Sequence, residues 1–196
     1  MKKGLIVIGV IAVIGFILYG FFAGRYNKMV ALQETISKEW AQVESQYQRR
    51  ADLIPNLVNT VKGYANFEQE TLTKVIEARA SATQVKIDPS NITPEQLQQF
   101  QQAQNNVGSA LSRLLVVAEN YPDLKANQNF LDLQAQLEGT ENRIAVARNR
   151  FNEVVQPYNE YIRRFPTNMI AGMYGFTPKG YFEATKGAEN APTVQF

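Results

Sequence analysis

Apolar residues recur at steps of three and four through most of the chain from Met29 to Phe165, a spacing that puts them on one side of a helix and is incompatible with the two-residue alternation of a strand. Four such stripes can be traced. The first carries Met29, Leu32, Ile36, Trp40, Val43, Tyr47, Ala51 and Ile54, and the second Val58, Val61, Ala65, Leu72, Ile76 and Ala80. The third carries Leu97, Phe100, Gln104, Val107, Leu111, Leu114, Ala118 and Tyr121. The fourth runs Phe130, Leu133, Leu137, Thr140, Ile144, Ala147, Phe151, Val154, Tyr158, Tyr161 and Phe165 in coiled-coil-like heptads.

Punctuation between the stripes sets the corners. Pro55 has no N–H and its ring crowds the carbonyl four residues back, a loss of about 3 kcal/mol inside a helix. The first helix is therefore expected to end near Arg50 and the second to start at Pro55, with a single kinked helix through Pro55 in a three-helix bundle as the rival. Asp88-Pro89-Ser90 marks the next turn. Thr93-Pro94-Glu95-Gln96 reads as a threonine cap, a first-turn proline and a reciprocal glutamine. Pro122 should stop the third helix, Pro157 should kink the fourth and Pro166 should end it. The expected fold is all-α: an N-terminal transmembrane helix, an up-and-down antiparallel four-helix bundle and an irregular C-terminal tail.

Gly4 to Gly24 supplies the membrane helix, since its 21 residues include no charge and would rise about 30 Å, the thickness of a bilayer core. Phe21 and Phe22 stand where a signal peptidase site would need small residues, so an uncleaved anchor is expected. Lys2 and Lys3 favour a cytoplasmic N-terminus over the opposing Arg25 and Lys28, which gives a single-pass protein of the cell membrane with its domain outside, N-in and C-out. The expected division is an anchor over 1–24, a bundle over 25–166 and a tail over 167–196. Gly172, Gly175, Gly180 and Gly187 break helical spacing in the tail, yet Met169, Ile170, Met173, Tyr174, Phe176, Tyr181 and Phe182 keep it apolar. That surface needs cover, from its own bundle or from a partner.

Composition narrows the chemistry. With neither cysteine nor histidine, disulfides, thiolate zinc sites, cysteine nucleophiles and every imidazole-based acid, base or ligand are excluded. The net charge of +2 is that of Lys2 and Lys3, because the other 18 basic residues match 18 acidic ones; a neutral domain does not suit nucleic acid. Glu138 and Glu141, three apart on one helix with Arg143 and Arg148 nearby, are the only acid/base candidates singled out, and solvated or paired glutamates are the favoured reading. Arg49, Arg50 and Asp52 are candidate partner contacts, able to grip a carboxylate or a phosphate headgroup, set against a solvated turn that caps two helices. Gln104 and Thr140, polar on otherwise apolar stripes, are candidates for a buried polar layer that fixes register. Val194 and Phe196, with the terminal carboxylate, form an apolar-x-apolar end of the kind a PDZ-type groove accepts.

The segments YNKMVAL, EWAQVESQYQRRADLIPNLVNTVKGYA, RLLVVAENYPDLKANQNFLDLQAQLEGTENRIAVARNRFNEVVQPYN and GFTPKGYF resemble the LemA family of bacterial membrane-anchored proteins. The likeness covers nearly all of the chain and is weakest from Val85 to Ile92. It implies a four-helix up-and-down bundle and no established enzymatic activity, with membrane proteases of the HtpX type as the associated class of partner; no cofactor is expected. The functional expectation is a non-catalytic scaffold on the lipid bilayer, accessory to membrane protein quality control. The alternative is a ligand-binding or hydrolytic enzyme that works with carboxylates and arginines alone.

Overall fold

A computed structural model describes residues 2–63 and 68–183. Six helices follow in order: α1 Lys2–Lys62, α2 Gln69–Gln84, α3 Pro94–Ala118, α4 Pro122–Lys125, α5 Gln128–Arg163 and α6 Thr167–Tyr174, with no strand among the described residues. The part of α1 beyond its apolar start packs with α2, α3 and α5 as four helices running up and down. Residue pairings give the directions. Trp40 meets Phe151 while Arg50 meets Glu141, so α1 and α5 are antiparallel. Gln33 reaches Ser90 while Ala51 meets Arg79, so α2 returns along α1. Phe100 lies against Trp40 and Gln104 against Arg50, so α3 runs parallel to α1.

The expected corner at Pro55 does not exist: α1 is helical through it to Lys62, and the helix ends at a turn at Gly63. Two physical facts overturn the expectation. The carbonyl that Pro55 leaves without a donor is that of Ala51, and it accepts a hydrogen bond at 2.7 Å from Nε of Arg79 on α2. Beyond Pro55, Leu57, Val58 and Val61 are buried on the face that Ile54 begins. At about 1.5–3 kcal/mol per buried side chain, that face outweighs the roughly 3 kcal/mol of an interior proline. The helix count stays at four because α2 starts afresh at Gln69; Val58 and Val61 belong to α1, and Ala65 lies outside the described residues.

Two stripes are also redrawn. The inward face of α2 is Leu72, Val75 and Ala82, whereas Ile76 is exposed. In α5 the buried series is Ile144, Ala147, Phe151, Val155, Tyr158 and Ile162, and Phe165 lies beyond the helix in solvent. A strict seven-residue repeat drifts about 20° per heptad on a straight helix, enough to exchange Val154 for Val155 and Tyr161 for Ile162. The helix starts are as the residue types dictate. Thr93 Oγ1 accepts from the Gln96 N–H and the Gln96 side chain accepts from the Thr93 N–H, while Asn127 caps α5 by accepting from the Phe130 N–H at 3.1 Å.

The core falls into two parts stacked along the bundle. A proximal part, toward the apolar end of α1, joins Met29, Ile36, Trp40 and Val43 to Ile92, Phe100, Phe151, Tyr158 and Phe182. A distal part joins Ile54, Leu57 and Val61 to Leu72, Val75, Leu111, Leu114, Leu124 and Phe130. Arg50 lies between them.

Candidate functional site

Arg50 is on the inward face of α1, one turn past Tyr47, and is only 3 % exposed. Burying a guanidinium in a bundle is tolerated only when its donors are matched. Nη1 donates to Glu141 Oε1 at 2.8 Å, and Nη2 donates to both the backbone carbonyl and Oε1 of Gln104, at 3.0 and 2.6 Å. The guanidinium also lies 5.1 Å from the ring centre of Tyr47. Burial raises the Tyr47 phenol above its usual range, opposed by Arg148 and Arg50, which keeps it a neutral hydrogen-bonding group.

Above this layer a crevice of about 460 Å³ opens between α1, α2 and α3. Tyr47, Arg50, Phe100 and Gln104 line it together with Glu44, Gln48, Arg79, Thr83 and Lys86. Its size is that of a small-molecule pocket. Nε of Arg79 is occupied by the Ala51 carbonyl and the Nη groups of Arg50 by Glu141 and Gln104, so of the two arginines it is Arg79 that faces the crevice with its Nη groups uncommitted to these bonds. Among the described residues no three acidic side chains converge as a metal site.

The residues singled out in the sequence separate. Arg49 and Asp52 are exposed, Asp52 accepting from Gln48 Nε2 at 2.7 Å. Arg50 is neither a surface contact nor part of a turn: the unbroken helix points it into the core, since it stands three residues from Tyr47 and four from Ile54 on the buried face. Gln104 and Thr140 are both buried. Gln104 is joined to Arg50, whereas Thr140 donates to the Gln136 carbonyl at 2.7 Å and accepts from Arg143 Nη2 at 2.9 Å. Arg50, bonded to Gln104 and Glu141, is the buried charged group that stripe reading missed. Glu141 is engaged by Arg50, and Glu138 accepts from Gln134 at 3.1 Å. Val194 and Phe196 lie outside the described residues.

A second arrangement had no signal in helical spacing. After α6 the chain from Gly175 runs back along α5 in extended form to Glu183. Side-chain amides pair with its backbone as a neighbouring strand would. Asn159 exchanges two bonds with Lys179, Asn152 two with Phe182, and Gln101 two with Glu183. Tyr158 adds a bond to the Thr177 carbonyl at 3.1 Å, and burial pushes its phenol up to about 12. Gly180 passes so close to α3 that a Cβ there would stand 2.9 Å from Pro94 Cα, and its N–H donates to the Ile92 carbonyl. Lys179 Nζ donates to the Ser90 carbonyl at 2.6 Å, and burial lowers its pKa, partly offset by Asp88. The sequence hint was Asn152 and Asn159, seven apart beside Phe151 and Tyr158, whose amides are placed to serve an extended chain.

The LemA family model matches residues 39–196, a stretch that includes the Arg50 layer and the whole tail clamp. Among curated proteins, the chain is 25 % identical to Protein LemA of Metamycoplasma hominis, over 87 % of this chain and 74 % of that one. It is 28 % identical to Magnetosome protein MamQ 2 of Paramagnetospirillum magneticum, over 97 % of this chain and 75 % of the relative. Magnetosome protein MamQ of Magnetospirillum gryphiswaldense is 27 % identical, over 87 % and 68 %. Matched across the bundle, the buried arginine and the clamped tail together, the chain belongs to the LemA family.

Proposed function

We propose that the protein is a non-catalytic scaffold that holds a helical docking body against a membrane. The observation that carries this reading is the continuity of α1. It runs from the apolar segment, whose side chains from Leu5 through Leu18 are exposed, into the bundle core without a break to Lys62, about 90 Å in all. A body joined to its anchor by a rigid helix rather than a loose linker stands at a fixed height from the membrane. In this reading the apolar segment crosses the cytoplasmic membrane once, N-terminus inside, and the bundle stands outside. The partner is an integral membrane protein, with membrane proteases of the HtpX type the first to be tried and the work being accessory to membrane protein quality control. Arg49 and Asp52 on the exposed side of α1, and Val194 and Phe196 at the end of the chain, are its candidate contacts.

Cross-linking of the full chain in native membranes, followed by mild detergent extraction, tests the proposal. A stoichiometric membrane protein is expected, and inserting a flexible glycine-serine segment between Tyr26 and Lys28 should weaken its capture while leaving the bundle folded. Protease added to wall-stripped cells should remove the bundle; full protection would reverse the orientation. A turnover by the purified protein that Glu44→Gln abolishes would replace the scaffold reading with carboxylate and arginine chemistry at the crevice.

A further inference from the structure

Phe165 to Pro178 is a run of 14 residues without a charged side chain, and α6 lies within it. Thr167, Ile170 and Ala171 turn toward the bundle and are buried. Met169 and Met173, four apart on the other side, are 62 % and 75 % exposed, with Phe165 just ahead of the helix at 80 % and Tyr174 at its end at 58 %. So much apolar surface gathered on one short helix needs an occupant.

The position of α6 names it. The Tyr174 ring lies 4.9 Å from that of Tyr26 on α1, and the Phe176 ring 5.7 Å from it. Tyr26 stands two residues, about 3 Å of rise, beyond Gly24, where the uncharged run of α1 ends. The aromatic contacts therefore tie α6 to the level at which α1 would leave the hydrocarbon. Lys28 on α1 and Arg163 at the end of α5 are exposed, and both flank this segment with positive charge of the kind that meets lipid phosphates.

We propose that α6 is a second, interfacial membrane contact, with Met169, Met173, Phe165 and Tyr174 seated among headgroups and upper acyl chains beside the α1 span. This rests on the reading that α1 crosses the bilayer. A short helix lying in the interface would fix the tilt of the bundle, which a single spanning helix leaves free to rotate about its own axis.

Because the natural chain has no cysteine, single variants each carry one label. Met173→Cys, Met169→Cys, Val116→Cys and Ile14→Cys of the full chain, each bearing a polarity-sensitive fluorophore, are reconstituted into phosphatidylcholine–phosphatidylglycerol vesicles. Val116, exposed on α3 in the distal half, is the aqueous control, and Ile14 reports the α1 span. The expected result is a blue-shifted emission at Met173 and Met169, with several-fold stronger quenching by lipids nitroxide-labelled near the headgroup than at Val116. Quenching of Met173 by aqueous iodide to the extent seen at Val116, with Ile14 quenched by deep lipid labels, would overturn the proposal while leaving the anchor in place. A Met173 label shielded from both quenchers would also overturn it, in favour of a protein surface or a second copy. An Ile14 label open to iodide would show that the spanning reading itself has failed.

Discussion

The two halves of the core are built from different material. Toward the apolar end of α1, Trp40 contacts Phe100 and Phe151 edge to face at 5.2 and 5.6 Å, Tyr47 meets Phe100 at 5.0 Å, and Phe182 of the tail stacks over Trp40 at 6.1 Å. The far half is almost wholly aliphatic, with Phe130 its one fully buried aromatic among the described residues. The proximal half is also laced by segments distant in sequence: Gln101 to Glu183, Arg148 to Glu183, Lys179 to Ser90. The distal half is closed by neighbours along the chain, α3 into α4 into α5. Aromatic packing and long-range ties hold the proximal half more firmly, so local opening should begin in the distal half.

Core truncation gives the largest effect. Trp40→Ala should remove about 3–5 kcal/mol, and Ile144→Ala and Leu111→Ala about 2–5 kcal/mol each. Denaturant melts measure the totals. Hydrogen exchange then separates the halves: Leu111→Ala should loosen mainly the distal amides, whereas Trp40→Ala should also release the tail. Equal spread from both variants would mean that the Arg50 layer does not divide the core.

The divider itself is asymmetric, because Arg50 is buried whereas the Glu141 side chain is 49 % exposed. Glu141→Ala strands a buried cation and should cost about 3 kcal/mol, the lower end for a broken buried pair. Arg50→Met leaves a carboxylate that water can reach and should cost less, about 1–2 kcal/mol. The reverse order in chemical denaturation would show that the buried Gln104 acceptors, which Arg50→Met leaves without their donor, weigh more than the half-exposed Glu141.

In the distal half, Arg79→Met should cost about 1–2 kcal/mol by leaving the Ala51 carbonyl unpaired. Pro55→Ala restores the missing N–H, so the same Arg79 change should cost markedly less in that background. Additive effects in the double-mutant cycle would refute the substitution of one donor for the other.

The smallest effect is alkaline and proximal. Tyr158 is raised to about 12 in the folded protein from an ordinary value of 10.0, so its stabilising contribution is whole below pH 10 and lost as pH climbs toward 12. Lys179, shifted downward, works the other way below its ordinary value of 10.5 and stabilises as pH rises. Proteolysis of the tail should therefore accelerate above pH 10.5, and Tyr158→Phe should flatten that rise. An unchanged pH profile in the variant would place the alkaline loss elsewhere.

From residues alone came the helical class, the capped start at Thr93, the polar positions Gln104 and Thr140 and the apolar first segment, because each depends on neighbours within a turn or two. The corner at Pro55 was misread for the opposite reason. A proline's local penalty is visible in one dimension, but the donor that relieves it sits 28 residues away on another helix. Arg50 was read as surface because charge ordinarily faces water, and its acceptors, 54 and 91 residues distant, converge on it only when α3 and α5 pack against α1. The tail was legible as apolar but not as a strap: an extended chain has no helical period, and which side-chain amides pair with its backbone is settled only once α5 sets Asn152 and Asn159 on one face and α3 brings Gln101 across from them. Local rules act through the few residues within reach of a turn, whereas the partners of a buried charge and of an extended backbone are decided by which helices the fold brings together.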